Sequence, residues 1–166
     1  MASANNNSSD LIHIDGSYLE GGGQILRIST ALSVLFQKDI RVENIRKGRT
    51  DGGLKPQHLT GIILIGEICN AKLNGAQIKS TEIEFRPGKL LSGKFLADTK
   101  TAGSITLLLQ NVLPPLIFAK ESCELHLRGG TNVAFSPQID EFQEIFIPIV
   151  KKHLGIEIEC RVLRKG

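Results

Sequence analysis

Apolar residues recur along the chain in two rhythms, one typical of helices and one typical of strands. Early in the chain, four apolar residues come at steps of three, four and three, which predicts a helix that buries them on one face. These residues are Ile25, Ile28, Leu32 and Leu35. The full pattern predicts strands at 11–15, 40–45, 71–79, 81–86, 94–97, 123–127 and 156–162, and helices at 23–36, 56–68, 102–112 and 137–154.

Prolines and glycines set the expected ends of the later helices. Pro114 is expected to stop the third helix, because proline offers no N–H to the preceding turn. Ser136 and Pro137 are typical of a cap and a first helical residue, so the fourth helix is predicted to begin there. Pro148 should kink or shorten that helix, and Gly155 is expected to end it.

The predicted elements occur twice in the same order, which indicates an internal repeat. The second set of elements follows the order of the first set but lacks the last strand. Matching residues lie 80 positions apart (Gly23 and Gly103) or 81 positions apart (Gly48 and Gly129, Pro56-Gln57 and Pro137-Gln138). We therefore predict an α/β (α+β) fold of tandem β-α-β-α-β-β units, each with two helices on a four-stranded sheet, the second unit incomplete.

The repeat also predicts the domain organisation. Residues 1–10, rich in Asn and Ser, are expected to form a disordered tail. Residues 11–88 form the first unit and residues 89–166 a truncated second unit, both within one larger domain. An incomplete unit leaves a sheet edge and apolar surface open, so we expect the chain to be a fragment that self-associates.

Composition excludes several classes of protein. The 166 residues are 41% apolar and 22% charged, which is ordinary for a globular protein. The longest apolar stretch, residues 105–119, is too short and too interrupted to span a membrane. The three cysteines are widely spaced and form no C-x-x-C pair, so the sequence indicates neither a zinc site nor a disulfide framework.

The net charge of +3 is concentrated in residues 20–60, which hold seven basic and four acidic residues. Three glycines at positions 21–23 lead into the first helix inside this window. Glycines let a ligand approach the backbone closely, and the free amides of a helix N-terminus favour a phosphate. The alternatives are a plain glycine-rich turn, solvated surface charge, and pairing of Arg27 with Glu20.

Cations also stand where the helix dipole disfavours them. Arg27 lies in the first turn of one helix, and Lys55 and His58 lie at the start of the next. A cation in such a position costs roughly 0.3–1 kcal/mol, which an anion shared between the two helix starts would offset. Arg46 and Arg49, in the loop that leads to the second helix, could close over that anion as bidentate donors.

Five short motifs follow one another along the chain: Glu20-Gly21-Gly22-Gly23-Gln24-Ile25-Leu26-Arg27, Arg46-Lys47-Gly48-Arg49, Pro56-Gln57-His58-Leu59, Thr101-Ala102-Gly103-Ser104 and Gly129-Gly130-Thr131-Asn132. In this order they closely resemble the RNA 3′-terminal phosphate cyclase family. The similarity covers the chain from about Ile12 to its last residue.

The resemblance implies an ATP-dependent reaction at an RNA 3′ end. A histidine nucleophile takes AMP from ATP, the AMP moves to the terminal 3′-phosphate, and the neighbouring 2′-hydroxyl displaces it to give a 2′,3′-cyclic phosphate. The implied partners are therefore ATP, Mg²⁺ or Mn²⁺, and RNA ends that bear a 3′-phosphate, with no membrane involved. The family fold contains three such units and a smaller inserted domain, and its eukaryotic members lead us to expect the nucleus, with the cytoplasm as a second location.

The resemblance also implies roles for individual residues. Glu20 is expected near the nucleotide phosphates or their divalent metal, and Gln110 is expected to contact ATP. The expected lining of the cleft for RNA and nucleotide phosphates consists of Arg27, Arg46, Arg49 and His58.

The nucleophilic histidine of the family lies in its third unit, and the four histidines of this sequence do not sit in that motif. They are His13, His58, His126 and His153. Because covalent catalysis needs the nucleophile, we expect this polypeptide alone not to become adenylylated. Two alternatives are a non-catalytic, cyclase-like protein of ribosome assembly and a truncated unit that binds RNA ends without chemistry.

Overall fold

A computed structural model describes residues 11–19 and 21–166 of the chain. The predicted tail at residues 1–10 and the predicted ligand Glu20 lie outside the described residues. The first unit comprises β1 (Ile12–Asp15), α1 (Gly23–Phe36), β2 (Ile40–Glu43), α2 (Pro56–Cys69), β3 (Lys72–Asn74) and β4 (Ile83–Arg86). This is the predicted β-α-β-α-β-β order, and the mixed α/β fold class is confirmed.

The four strands of the first unit form one sheet in the order β1-β2-β4-β3. β1 and β2 are parallel, with Ile12 opposite Ile40, so the connection between them must cross over the sheet, and α1 is that crossover. β4 runs antiparallel to both β2 and β3. Helices α1 and α2 cover one face of this sheet, where Val42, Ile65 and Phe85 are completely buried.

The second unit begins in the same way. It comprises β5 (Lys94–Asp98), α3 (Ile105–Leu116), β6 (Glu124–Arg128), α4 (Ile139–Glu141), a π-helical segment (Phe142–Phe146) and α5 (Ile147–Leu154). β5 and β6 pair in parallel, as β1 and β2 do. Within the described residues no helix is long and apolar enough to cross a membrane.

The strand predicted at 156–162 is wrong, because those residues form no ladder with another strand. The topology of the first unit gives the reason. There β3 pairs only with β4, which lies between β3 and β2. Residues 156–162 stand in the place of β3, and no described strand of the second unit takes the place of β4.

The predicted buried face of α1 is also wrong. Ile28 and Leu32 are 49% and 44% exposed, whereas the buried residues lie one or two positions further along, at Ser29, Thr30 and Val34 among others. Small polar side chains fill this face because each finds a hydrogen-bond partner there. The hydroxyl of Ser29 donates to the carbonyl of Ile25, and the hydroxyl of Thr30 lies 2.8 Å from the carbonyl of Leu26 and 2.9 Å from Oδ1 of Asn111 in α3. Their burial allows α2 and α3 to approach α1 closely.

Three predicted helix ends differ from the structure. α3 continues through Pro114 and Pro115 to Leu116, and the N–H of Ile117 closes its last turn on the carbonyl of Leu113. It starts after Ser104, whose hydroxyl accepts from the N–H of Leu107.

The last helix starts at Ile139, so neither Ser136 nor Pro137 begins it; the Ser136 hydroxyl donates to the carbonyl of Val133 instead. The irregularity expected at Pro148 takes the form of the π-helical segment that precedes it, which adjusts the helix to the N–H that proline lacks. Gly155, with φ of 67°, ends the helix as predicted.

Helix α3 of the second unit packs on α1 and α2 of the first. Its residues Leu108 and Val112 belong to the same apolar core as Leu26 and Ile62. A smaller core joins the opposite side of α3, through Ile105 and Leu109, to the last helix. The N-terminal ends of α1 and α2 therefore meet beside α3.

Candidate anion-binding site

The N-termini of α1 and α2 lie side by side at the mouth of a small pocket. α1 begins after Gly22 and α2 after Lys55, and neither helix has an acidic residue in its first turn. Each terminus therefore leaves its partial positive charge without a carboxylate of its own helix. The pocket is lined by Gly23, Leu26, Arg27, Gln57, His58, Gly61, Ile62, Leu107, Leu108 and Asn111.

The glycine loop is the point on which the donors converge. A Cβ placed on Gly23 would collide with Nε2 of His58 and lie 3.2 Å from Nη1 of Arg27. A Cβ placed on Gly22 would lie 3.9 Å from Nη2 of Arg49. The absence of side chains at both positions lets three nitrogen donors approach the first amides of α1. The predicted residues Arg27, Arg49 and His58 are thus brought together.

His58 is held as a neutral hydrogen-bond donor. Its Nδ1 accepts the backbone N–H of Lys55 at 3.2 Å, so the single proton of the neutral ring sits on Nε2, which faces Gly23. Burial first, and then the charges of Arg46, Arg27 and Lys55, lower the pKa of His58 from 6.5 to about 4. At neutral pH the ring therefore offers an N–H to a ligand and adds no charge.

Arg27 carries the central charge of the site. Its side chain folds back toward the start of α1, and burial lowers the pKa of its guanidinium. Among the described residues no nearby charge opposes that effect. The alternative partner named from the sequence, Glu20, lies outside the described part of the chain. A partly buried cation of this kind favours a bound anion.

Arg46 contributes positive charge to the site and also holds the conformation of its own loop. Its Nη1 donates to the backbone carbonyls of Asp51 at 2.8 Å and Gly53 at 3.0 Å, which closes the loop between β2 and α2. Burial and the charge of Arg49 lower the pKa of Arg46. Lys55, at the end of the same loop, forms an ion pair with Asp51. The loop therefore carries four cations and one carboxylate, which are Arg46, Lys47, Arg49 and Lys55 against Asp51.

Gln110 lies apart from this cluster. It is on the exposed side of α3, where it lines a groove of about 450 Å³ between α3 and the last helix. The groove is largely apolar, with Leu109, Pro114 and Phe142 among its walls. The structure thus places Gln110 and the cluster around Arg27 on different sides of α3.

Two residues of the pocket, Gln57 and Asn111, were not predicted as site residues from the sequence. The side-chain carbonyl of Gln57 accepts the N–H of Ser104 at 2.8 Å, which ties the start of α2 to the start of α3. Asn111 is 2% exposed and bonds both α1 and α2. Gln57 stands in a motif and a repeat match, so the sequence carried a signal for it. Asn111 carried none, because its partners are distant along the chain.

The described residues contain no group of three or more His, Cys, Asp or Glu side chains that could hold a metal ion. The predicted metal ligand Glu20 is outside that description. The features that the described site offers are therefore guanidinium groups, an imidazole N–H and helix amides, which are all groups suited to an oxyanion.

Comparison with known proteins agrees with this chemistry. A sequence profile of the family described as RNA 3′-terminal phosphate cyclase matches residues 18–166. The chain is 46% identical over 156 residues to an RNA 3′-terminal phosphate cyclase of Pyrococcus furiosus, which is 94% of this chain and 45% of that protein. It is 48% identical to the cyclase of Thermococcus kodakarensis, over 93% of this chain and 44% of that protein. It is 46% identical to the cyclase of Archaeoglobus fulgidus, over 94% of this chain and 47% of that protein.

The chain spans somewhat less than half the length of these curated relatives. The family profile, by contrast, covers most of the chain and includes both of its units. The chain therefore belongs to the RNA 3′-terminal phosphate cyclase family.

Proposed function

We propose that this chain forms the part of an ATP-dependent RNA 3′-terminal phosphate cyclase that holds the terminal 3′-phosphate of the RNA. The observation that carries the proposal is the convergence of Arg27, Arg49 and His58 on the side-chain-free surface of Gly22 and Gly23. Guanidinium groups and helix amides recognise phosphate oxygens through charge-assisted hydrogen bonds. The names of the relatives supply the nature of the RNA end.

The charge of the site favours a terminal monoester over an internal phosphodiester. A terminal phosphate carries about −1.5 to −2 charges near pH 7 and presents three acceptor oxygens. An internal diester carries one charge and presents two. Arg27, Arg46 and Lys55 act on His58 beside the two helix N-termini, and the carboxylate of Asp51 pairs with Lys55. The higher negative charge of the monoester balances this positive charge better than the single charge of a diester does.

The proposed reaction begins with transfer of AMP from ATP to an enzyme histidine, with release of pyrophosphate. AMP then passes to an oxygen of the RNA 3′-phosphate, and attack of the adjacent 2′-hydroxyl on that phosphorus expels AMP and closes the cyclic ester. The residues of this chain hold the 3′-phosphate while its oxygens react. The donors that we assign to this phosphate are the Nε2–H of His58 and the guanidinium of Arg27, both of which lie against Gly23.

The groove that contains Gln110 fits a nucleotide base. Its walls offer apolar surface for a ring, and the amide of Gln110 offers one donor and one acceptor for the edge of a base. We assign Gln110 to ATP on this ground. Glu20 is assigned to Mg²⁺ or Mn²⁺, since a magnesium ion at a nucleotide typically uses one or two carboxylates together with phosphate oxygens.

His58 is not the adenylylated histidine in this proposal. A nucleophilic imidazole needs a lone pair on the attacking nitrogen, but Nδ1 of His58 accepts the Lys55 N–H and Nε2 carries the proton. We expect the 166-residue chain, incubated with Mg²⁺ and ATP labelled in its α-phosphate, to acquire no covalent label. Label that survives denaturation and is lost in His58→Gln would contradict this assignment.

The central test compares one RNA that ends in a 3′-phosphate with the same RNA ending in a 3′-hydroxyl. We expect the phosphorylated RNA to bind more tightly, and Arg46→Ala or Arg49→Ala to reduce that preference roughly tenfold each, because each removes a charge-assisted contact. Fluorescence anisotropy across a range of salt concentrations measures both affinities.

The matched control is Lys47→Ala, which removes a cation from the same loop at an exposed position. This substitution should weaken the binding of both RNAs to the same small extent and leave the ratio of their affinities unchanged. Equal and steeply salt-dependent binding of the two RNAs by the wild-type chain would show a basic surface alone and would refute the proposal.

A further inference from the structure

The anion-binding pocket is built from both units of the chain. Arg27 and His58 come from the first unit, whereas Leu107, Leu108 and Asn111 on its inner wall come from α3 of the second. Asn111 is the one polar side chain of these three, and it is almost completely buried, with 2% of its surface exposed. A buried amide is costly unless its donor and acceptor are both used.

The amide of Asn111 uses both ends to bridge the two helices. Its Nδ2 donates to the backbone carbonyl of Gly61 in α2, and its Oδ1 lies 2.9 Å from Oγ1 of Thr30 in α1. Because a carbonyl only accepts, the Gly61 contact fixes the orientation of the amide. The fully buried Thr30 hydroxyl carries the one proton available between these two oxygens and therefore donates to Asn111, in competition with the carbonyl of Leu26 at 2.8 Å.

The position of this bridge along each helix links it to the site. Thr30 follows Arg27 by three residues in α1, and Gly61 follows His58 by three residues in α2, so each lies on the same helix face one turn below its partner. Gly61 makes the close approach feasible, since a Cβ there would lie 3.2 Å from Nδ2 of Asn111. One amide thus sets the separation of the two turns that carry Arg27 and His58.

We propose that Asn111 is a positioning residue that fixes the gap between Arg27 and His58, so that the anion site of the first unit depends on a side chain of the second. This inference rests on the proposed function for the identity of the anion, but the geometry that it concerns is independent of RNA. The contact between Gln57 and Ser104 supports the same dependence at the mouth of the pocket.

The test uses inorganic phosphate and two variants that break the bridge in different ways. Asn111→Leu removes both hydrogen bonds at similar volume, and Thr30→Val removes the hydroxyl while Thr30→Ser keeps it. We expect the first two to weaken phosphate binding about tenfold, because donors that are misplaced by a fraction of an ångström lose their shared ligand. Thr30→Ser should bind within about twofold of wild type, as a rescue by the conservative residue.

The second readout is the titration of His58, followed by NMR of its ring protons. Loosening the gap hydrates the ring, so its pKa should rise from about 4 toward 6.5 in the bridge-breaking variants. The groups that face His58 are Arg27 of α1, Arg46 of the preceding loop and Lys55 of its own helix start, and none of them is changed. The residues of α3 on the pocket wall carry no charge.

The matched control is Val112→Ala. Val112 is next to Asn111 in α3 and fully buried, but its aliphatic side chain forms no hydrogen bond to α1 or α2. It should lower the melting temperature while leaving phosphate affinity and the His58 pKa as in wild type. Equal effects of Val112→Ala and Asn111→Leu would reduce Asn111 to a packing residue and overturn the proposal, as would a folded Asn111→Leu or Thr30→Val with both readouts unchanged. If wild type fails to prefer the 3′-phosphate RNA, the proposed function falls, whereas the His58 titration still decides this inference.

Discussion

Replacement of Gly23 by alanine is expected to weaken phosphate binding by about 100-fold or more. The added Cβ occupies space taken by Nε2 of His58 and crowds Nη1 of Arg27. Both donors must move, and two charge-assisted contacts worth about 1.5–3 kcal/mol each are disturbed together. Isothermal titration with inorganic phosphate, and with RNA that ends in a 3′-phosphate, measures the loss.

Gly48→Ala is the matched control, because a Cβ at Gly48 meets nothing within 4 Å although that residue belongs to the neighbouring basic loop. It should leave phosphate affinity within about twofold of wild type. Gly23→Ala should also retain the fold, since alanine favours a helix and Gly23 opens α1. Wild-type affinity in a folded Gly23→Ala would show that His58 and Arg27 do not form the binding surface.

Acidification from pH 7 to pH 4 is expected to cost about 2–3 kcal/mol of unfolding free energy through His58 alone. The native ring has a pKa of about 4, whereas the unfolded ring titrates near 6.5. Between these values the unfolded chain binds a proton that the native chain does not. Stability is therefore lost as the pH falls from 6.5 to 4, and His58 contributes no pH dependence above that range.

Urea denaturation at several pH values measures this slope. In His58→Gln the side-chain carbonyl can accept the Lys55 N–H and the amide can donate into the pocket, so this variant should lose the slope between pH 6.5 and 4 while still binding phosphate. Saturating phosphate should flatten the wild-type slope as well, because a bound anion raises the pKa of His58. A slope that persists in His58→Gln would assign it to another group.

Local pattern was sufficient for most of the elements. Hydrophobic periodicity gave α1 at 23–36 and the order of the first unit, because a helix or strand of ordinary length is encoded by residues that are close along the chain. Cations at the starts of α1 and α2 pointed to the candidate anion site, because the helix dipole makes such placements costly without a ligand. The family followed from motifs that hold these residues.

What the sequence could not determine depends on contacts between distant residues. The steps from Ile25 to Leu35 could not show that Ile28 and Leu32 remain exposed, because the buried face of α1 is chosen by α2 and α3. Nor could the alternation of residues 156–162 make them a strand, because a strand needs a neighbouring strand to accept and donate its backbone hydrogen bonds. The neutral state of His58 likewise depends on burial that only the packed helices provide, which is the main cause of its lowered pKa.

The sequence by itself thus determined the kind of fold, the family and the candidate residues for an anion site, all of which rest on local pattern and residue chemistry. Only the tertiary structure decided how those residues act together: the side-chain-free surface at Gly23, the neutral donor at His58, and the amide of Asn111 that joins α1 to α2. The physical reason is distance along the chain. Asn111 lies 81 residues from Thr30, and burial of an amide with both ends bonded is a property of the assembled core.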